Sequence, residues 1–275
     1  MLETSILTLT MLGVMMIASW AFCLDGRLSG YSVTKEIVSQ NNPAVGIRLG
    51  LFLLAFVLSF WQVIHPSGIS MQEDLNLLVK YSLVLTALLI VSRRMNDYLI
   101  LSAFDNNKEV VGEQNSAVAV VEGATYLASA MIFSGALAEF HSRPVTALLW
   151  CAAGQAFLIL LYKMYRFVQS GVDNALDNHN LAAAFSVGGF LLAGGIMLGA
   201  AINGPSLGFL QDVIDVSLYV AVWLGFMVVA YVLTDLLLVP GAKISDEVYK
   251  DKNSAVGVLN ATVAIALTLF YTLVH

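Results

Sequence analysis

EVVGEQNSAVAVVEG, residues 109–123, changes character at Asn115: a polar stretch opening on Glu109 gives way to an apolar run that holds one further carboxylate, Glu122. An Asn at such a boundary is a helix-start signal, because its side-chain oxygen accepts a hydrogen bond from an N–H two or three positions on. The boundary recurs four times. Aligning Asn42, Asn115, Asn180 and Asn253 puts Ala44, Ala117, Ala182 and Ala255 two residues later, and Glu36, Glu109, Asn174 and Glu247 six residues earlier. From Asn107 and from Ser245, the second and fourth copies share Glu, Val, Asn, Ser, Ala, Val and Val at matching places. Asp74 with Asp212, Tyr81 with Tyr219 and Asp97 with Asp235 extend the match back through the preceding segment. A repeat of this length predicts an array of one supersecondary unit.

The setting of that unit is a membrane. Hydrophobic residues make up 59% of the 275, charged residues only 12%, and the mean hydropathy is +0.81, against about a quarter charged in soluble domains. Apolar stretches at 5–24, 44–64, 75–101, 117–138, 145–165, 181–202, 213–239 and 254–274 each approach the roughly 20 residues that cross hydrocarbon as a helix. They are continuous and do not alternate, which disfavours a β-barrel. The predicted fold is all-α and polytopic: eight transmembrane helices from four parallel two-helix repeats. The middle spacing of the Asn series is shorter than the outer two, so the repeats group as two similar halves. The first is 1–142, with repeats 1–68 and 69–142; the second is 143–275, with repeats 143–205 and 206–275.

No basic residue precedes Arg27, so the first apolar segment is read as a span and not as a secretory leader. The odd-numbered connections and their helix ends carry Arg27, Lys35, Arg93, Arg94, Lys108, Lys163, Arg166, Lys243, Lys250 and Lys252, and the even-numbered ones only Arg143. Positive residues in short loops stay cytoplasmic. Both termini are therefore expected on the outer side, with four polar connections meeting the cytoplasmic leaflet. Repeats of equal topology are related by an axis along the membrane normal.

This pattern resembles the YjfL-like bacterial inner-membrane family catalogued as domain of unknown function 350, in two tandem copies. TKEIVSQNNPAVGIRLG (34–50), NKEVVGEQNSAVAVVEG (107–123), VDNALDNHNLAAAFSVG (172–188) and SDEVYKDKNSAVGVLNA (245–261) carry the resemblance. It implies a multi-pass protein of the bacterial inner membrane, with cytoplasmic partners in an envelope-stress setting, and it transfers no catalytic residue; the Lys and Arg distribution puts both termini on the periplasmic or extracellular side.

The repeated Asn has two readings. As a cap it satisfies one of the donors left free at a helix start, and Pro43 after Asn42 suits a first helical position. Alternatively Glu36, Asn42, Glu109, Asn115, Asn174, Asn180, Glu247 and Asn253 converge as a cytoplasmic mouth around a common axis. Glu122 lies about 10 Å into its helix at ~1.5 Å per residue. Asn260 occupies the same place in the fourth unit, and Arg48 and Ser186 stand one position earlier in the first and third. Charges at such depth face the bundle interior and mark a pair or a path. Glu122 either locks onto Arg48 or, with Arg48, Ser186 and Asn260, lines a route for a small ion or solute.

Asp74, Lys80, Asp97, Asp212 and Asp235 are read as anchors near helix ends, and Trp20, Trp61 and Trp150 as interfacial belts. Gly195 and Gly199 in the sixth span are expected to permit close packing, with a hinge as the alternative. His179 stands inside a repeated motif as a candidate pH sensor. The 13 Lys and Arg form no basic tract and the net charge is −6, so no nucleic acid is expected. Cys23 and Cys151 have no CxxC partner, and no phosphate loop, nucleophile elbow or HExxH occurs, so neither enzyme, cofactor nor metal is expected. The lipid bilayer is the first partner; cytoplasmic proteins and a homo-oligomer stand beside it. The functional alternatives are a channel or transporter and a scaffold whose loops recruit soluble partners through Lys108, Lys250 and Lys252.

Overall fold

The computed structural model of the chain describes residues 2–61, 63, 70–139, 143–204 and 206–274. Helices are the only regular elements among them: α1 (Leu2–Leu28), α2 (Val33–Val38), α3 (Pro43–Leu58), α4 (Met71–Leu99), a π-helical turn (Lys108–Gly112), α5 (Ser116–Glu139), α6 (Pro144–Val168), α7 (Val172–Asp177), α8 (Leu181–Ile202), α9 (Phe209–Leu237), α10 (Ile244–Tyr249) and α11 (Ser254–Val274). The order repeats four times: a long helix, a one-turn element, an Asn, and a second long helix. Seven of the long helices have the length and apolarity to cross a bilayer. The eighth, α3, has 16 residues, about 24 Å at ~1.5 Å each. The expected span 44–64 therefore ends as helix at Leu58, and its last part reaches residues 62 and 64, which lie outside the described residues.

The second long helices form the core. α3 packs on α5, α5 on α8 and α8 on α11, and the first helices α1, α4, α6 and α9 lie against this series. In α5 and α8 nearly every residue is buried, and composition explains it: both are rich in Ala, Gly and Ser, which let backbones approach where lipid supplies no hydrophobic drive. A Cβ on Gly135 would land on the backbone carbonyl of Gly199, one on Gly195 on Ala128, and one on Gly199 on the Met131 carbonyl. Gly195 and Gly199 are therefore contact residues of the α5–α8 interface.

The tryptophans divide. Trp20 and Trp61 are exposed, whereas Trp150 is buried and tilted against Phe209, ring centroids 5.6 Å apart. The belt expected of Trp150 is corrected: α6 turns that face toward the start of α9.

Candidate functional site

Each unit begins its second helix in the same way. Asn42 Oδ1 accepts from the N–H groups of Ala44 (3.0 Å) and Val45 (3.2 Å), and Asn115 Oδ1 from those of Ala117 (3.0 Å) and Val118 (3.2 Å). Asn180 accepts from Ala183, and Asn253 from Ala255 and Val256. The preceding residues Asn41, Gln114, His179 and Lys252 all have φ between 50° and 55°. This left-handed step ends the one-turn element and swings the chain into the next helix.

The amide nitrogen does a second job. Asn42 donates to the carbonyls of Val110 (3.0 Å) and Val111 (3.3 Å), Asn115 to that of Leu176 (2.9 Å), and Asn180 to that of Val248 (2.8 Å). Every bond runs from one unit to the short element of the next. Asn115 and Asn253 also donate to their own Glu109 and Glu247 at 2.9 and 2.8 Å, and Asn42 to Glu36 at 3.5 Å. Asn174 instead accepts at its carbonyl and side chain from Asn178. The convergent mouth expected of these eight residues is corrected: Asn42, Asn115 and Asn180 each link one unit to the next in an open series, while Asn253 and Asn174 bond within their own units. The reason is the stepwise packing of α3, α5, α8 and α11.

At mid-depth the same register pairs the sixth residue after one Asn with the seventh after the next. Arg48 Nε donates to Glu122 Oε2 at 2.5 Å and Nη2 to Oε1 at 2.6 Å. The guanidinium also donates to Tyr31 Oη, Asn107 Oδ1 and the Asn106 carbonyl, at 3.2, 3.2 and 3.1 Å. Those contacts account for all five guanidinium donors, and both side chains are buried to within 1%. Tyr31 also accepts from Arg93, which pairs with Asp25 and lies over the Phe22 ring, 4.6 Å from its centroid. Arg94 reaches the same Asp25 at 2.5 Å. Thus α3 is clamped to α5 and α1 to α4 by charges, with Tyr126 packed beside them.

The second half occupies the equivalent place differently. Ser186, Tyr231, Asn260 and Ala264 stand where the first half has Arg48, Arg93, Glu122 and Tyr126. Three of the four exchanges remove bulk. Asn260 Nδ2 donates to Ser186 Oγ at 2.5 Å, Tyr165 Oη donates to the same Oγ at 3.1 Å, and the Tyr165 and Tyr249 hydroxyls meet at 2.9 Å. Burial pushes the Tyr249 phenol well above its ordinary range, so it stays a neutral hydroxyl. Beside this chain of hydroxyls lies a cavity of about 340 Å³, walled by Phe190, Leu224, Met227, Val263 and Ala264. α6 and α9, the counterparts of the clamped α1 and α4, meet at Trp150 and Phe209 with no ion pair between them among the described residues, and both line the cavity.

The four polar residues at one depth therefore form two separate pairs, Arg48–Glu122 and Ser186–Asn260. Between them the α5–α8 layer is apolar, with Val121 and Val187 in the paired register. Asp25, Tyr31, Arg93, Tyr165 and Tyr249 belong to these sites and carried no motif signal. A buried trio between α4, α5 and α6 was also silent in sequence: Asn96 donates to Ser129 at 3.4 Å, and Ser129 to Gln155 at 3.3 Å. The anchoring acids have local partners, Asp97 accepting from Asn106 and Asp235 from the Ile244 N–H.

Four parallel helical hairpins of long apolar helices, with Arg48 and Glu122 paired at mid-depth, define a multi-pass integral membrane protein. The model of the family described as Domain of Unknown Function (DUF350) matches residues 1–137 and again 138–273, and the chain belongs to that family in two tandem copies. It is also 24% identical over 235 residues to a UPF0719 transmembrane protein of Aquifex aeolicus (strain VF5), covering 84% of this chain and 85% of that one. No solved structure matches.

Proposed function

We propose that the protein binds a small, mostly apolar molecule with one hydrogen-bonding end inside the membrane, in the cavity of its second half, and that it forms no pore and catalyses no reaction. The carrying observation is the hollow at Ser186, Tyr231, Asn260 and Ala264, where the first half is filled by Arg48, Arg93, Glu122 and Tyr126. Its volume falls in the range of ligand sites, roughly 300–1,000 Å³, and its lining follows their usual pattern of apolar walls with a few convergent polar groups. Tyr165, Tyr249, Ser186 and Asn260 would hold the polar end; Phe190, Leu224, Met227 and Val263 would pack the rest. The lining of the cavity by both α6 and α9 supports entry between these helices from the lipid side.

A conduction route through Glu122, Arg48, Ser186 and Asn260 is disfavoured by their division into two separate pairs, of which Arg48–Glu122 is fully buried. A scaffold acting through Lys108, Lys250 and Lys252 receives less support, since these lysines already engage Glu113, Asp246 and the Asn178 carbonyl. The distribution of Lys and Arg supports an inner-membrane orientation with periplasmic termini.

The test uses a brominated long-chain alcohol and a variant keeping Trp223 as sole tryptophan. Trp223 stacks near the cavity residue Phe190, centroids 5.7 Å apart. Saturable quenching is expected, with loss of saturation in Ala264→Phe and weaker binding in Tyr249→Phe. Quenching that Ala264→Phe leaves unchanged, or ion flux in proteoliposomes, overturns the proposal.

A further inference from the structure

The series of second helices is open at both ends, and its two ends match. On α5 the face toward α8 carries Val120, Ala124, Ala128 and Met131, which meet Gly188, Gly195 and Gly199. The equivalent face of α11 carries Val258, Thr262, Ala266 and Leu269, and all four are exposed. Looking the other way, Gly123 of α5 meets Leu51, Gly188 meets Ala124, and Gly257 of α11 meets Ala182. The corresponding positions of the first unit are Gly50, for Gly123 and Gly188, and Gly46, for Gly257. A Cβ on either would meet nothing within 4 Å.

The polar ladder is open in the same sense. Asn42, Asn115 and Asn180 each donate to the short element of the following unit, whereas Asn253, in the fourth unit, donates only to its own Glu247 among the described residues. At the other end, the α2 carbonyls of Ile37 and Val38, which align with those of Val110 and Val111, receive no donor from another unit among the described residues. At mid-depth the free ends offer Leu259 and Leu49, the same apolar match as Val121 and Val187 between the second and third units. No charge would be stranded.

From this we infer that a second copy of the chain continues the series head to tail, its α3 packing on α11 and its α2 accepting from Asn253. The interface is one the molecule already uses three times within itself. Copies inserted with one topology present α3 and α11 in the same direction, as consecutive units do. Such a contact joins unlike faces, so it generates a ring or a chain of copies and not a two-fold dimer.

Disulfide trapping of the full-length protein in isolated membranes tests this, in a background with Cys23→Ala and Cys151→Ala. Gly123 against Leu51, and Gly188 against Ala124, set the register. Gly50 of one copy should therefore face Thr262 of the copy before it. The variant carrying both Gly50→Cys and Thr262→Cys is expected to form covalent dimers and higher species on mild oxidation, while each single-cysteine variant alone stays monomeric. Co-expressing the two single variants under different tags should restore the heterodimer, and Asn253→Ala should lower its yield several-fold while lowering the melting temperature of the uncrosslinked protein only as far as the lost cap of α11 and the lost bond to Glu247 do. Absence of crosslinks in the double variant overturns the inference. So does crosslinking of either single variant alone, which would signify a two-fold contact.

Discussion

Replacing Glu122 with Gln isolates the worth of the buried clamp. The side chain keeps nearly the same shape and one acceptor for Arg48, but it loses the charge opposite a guanidinium that is fully buried and bonded to Glu122 at 2.5 and 2.6 Å. Tyr31, Asn107 and the Asn106 carbonyl remain, and none of them carries charge. Removing one partner of a buried pair costs about 3–5 kcal/mol, chiefly because the other charge is left uncompensated. At about 2–4 °C per kcal/mol for a chain of this size, the Tm in detergent should fall on the order of 10 °C. The control follows from the second half. Arg48→Ser with Glu122→Asn reproduces the Ser186–Asn260 pair and removes both charges, so it should melt above Glu122→Asn alone, and a double-mutant cycle would show coupling. Fluorescence-monitored melting reads the stabilities, and proteoliposomes read flux. A Glu122→Gln protein that melts within about 2 °C of the parent, taken as under 1 kcal/mol, and conducts ions would refute the clamp.

Gly199→Leu should lower stability by about 1–3 kcal/mol or more, because overpacking a tight contact forces backbone shifts; here the backbone carbonyl of Met131 lies in the way, and thermal melting checks it. Asn115→Ala loses two capping bonds, the bond to Leu176 and the bond to Glu109, about 3 kcal/mol at roughly 1 kcal/mol for a cap and a similar amount for each buried hydrogen bond. Asn253→Ala, which caps but crosses to no other unit, should cost about 1 kcal/mol less in the monomer; equal losses would disprove the cross-unit bond. Gln114, at φ 54°, should accept Gly with little change, since relief of about 1 kcal/mol of left-handed strain is offset by backbone entropy, whereas Gln114→Val should lower the Tm measurably.

Several of these features were legible before any coordinates. The four Asn boundaries give the repeat, the apolar runs give the spans, and the depths of Arg48 and Glu122 suffice to pair them once α3 and α5 are neighbours. Depth along a helix follows from residue counting at ~1.5 Å each. The direction in which consecutive units pack does not, which is why an axis with a mouth was expected and an open series was found. Trp150 shows the same limit, since a Trp at a span end suits either the interface or a neighbouring helix. The loss of bulk from Tyr126 to Ala264 and from Arg48 to Ser186 gains its meaning only from the cavity that the structure places beside them. Tyr165 escaped notice because it lies outside the repeated motif, and Tyr249 because the other copies have Val or Leu at its place; only the packing of α6, α8 and α10 brings the Tyr165 hydroxyl to Ser186 and the Tyr249 hydroxyl to Tyr165.

The forward-reaching Asn side chains bear on biosynthesis. Because each latch joins a hairpin to its immediate successor, a nascent chain need never hold one element waiting for a distant one. A newly inserted pair of helices finds its berth on the pair delivered just before it, and the order of translation coincides with the order of assembly.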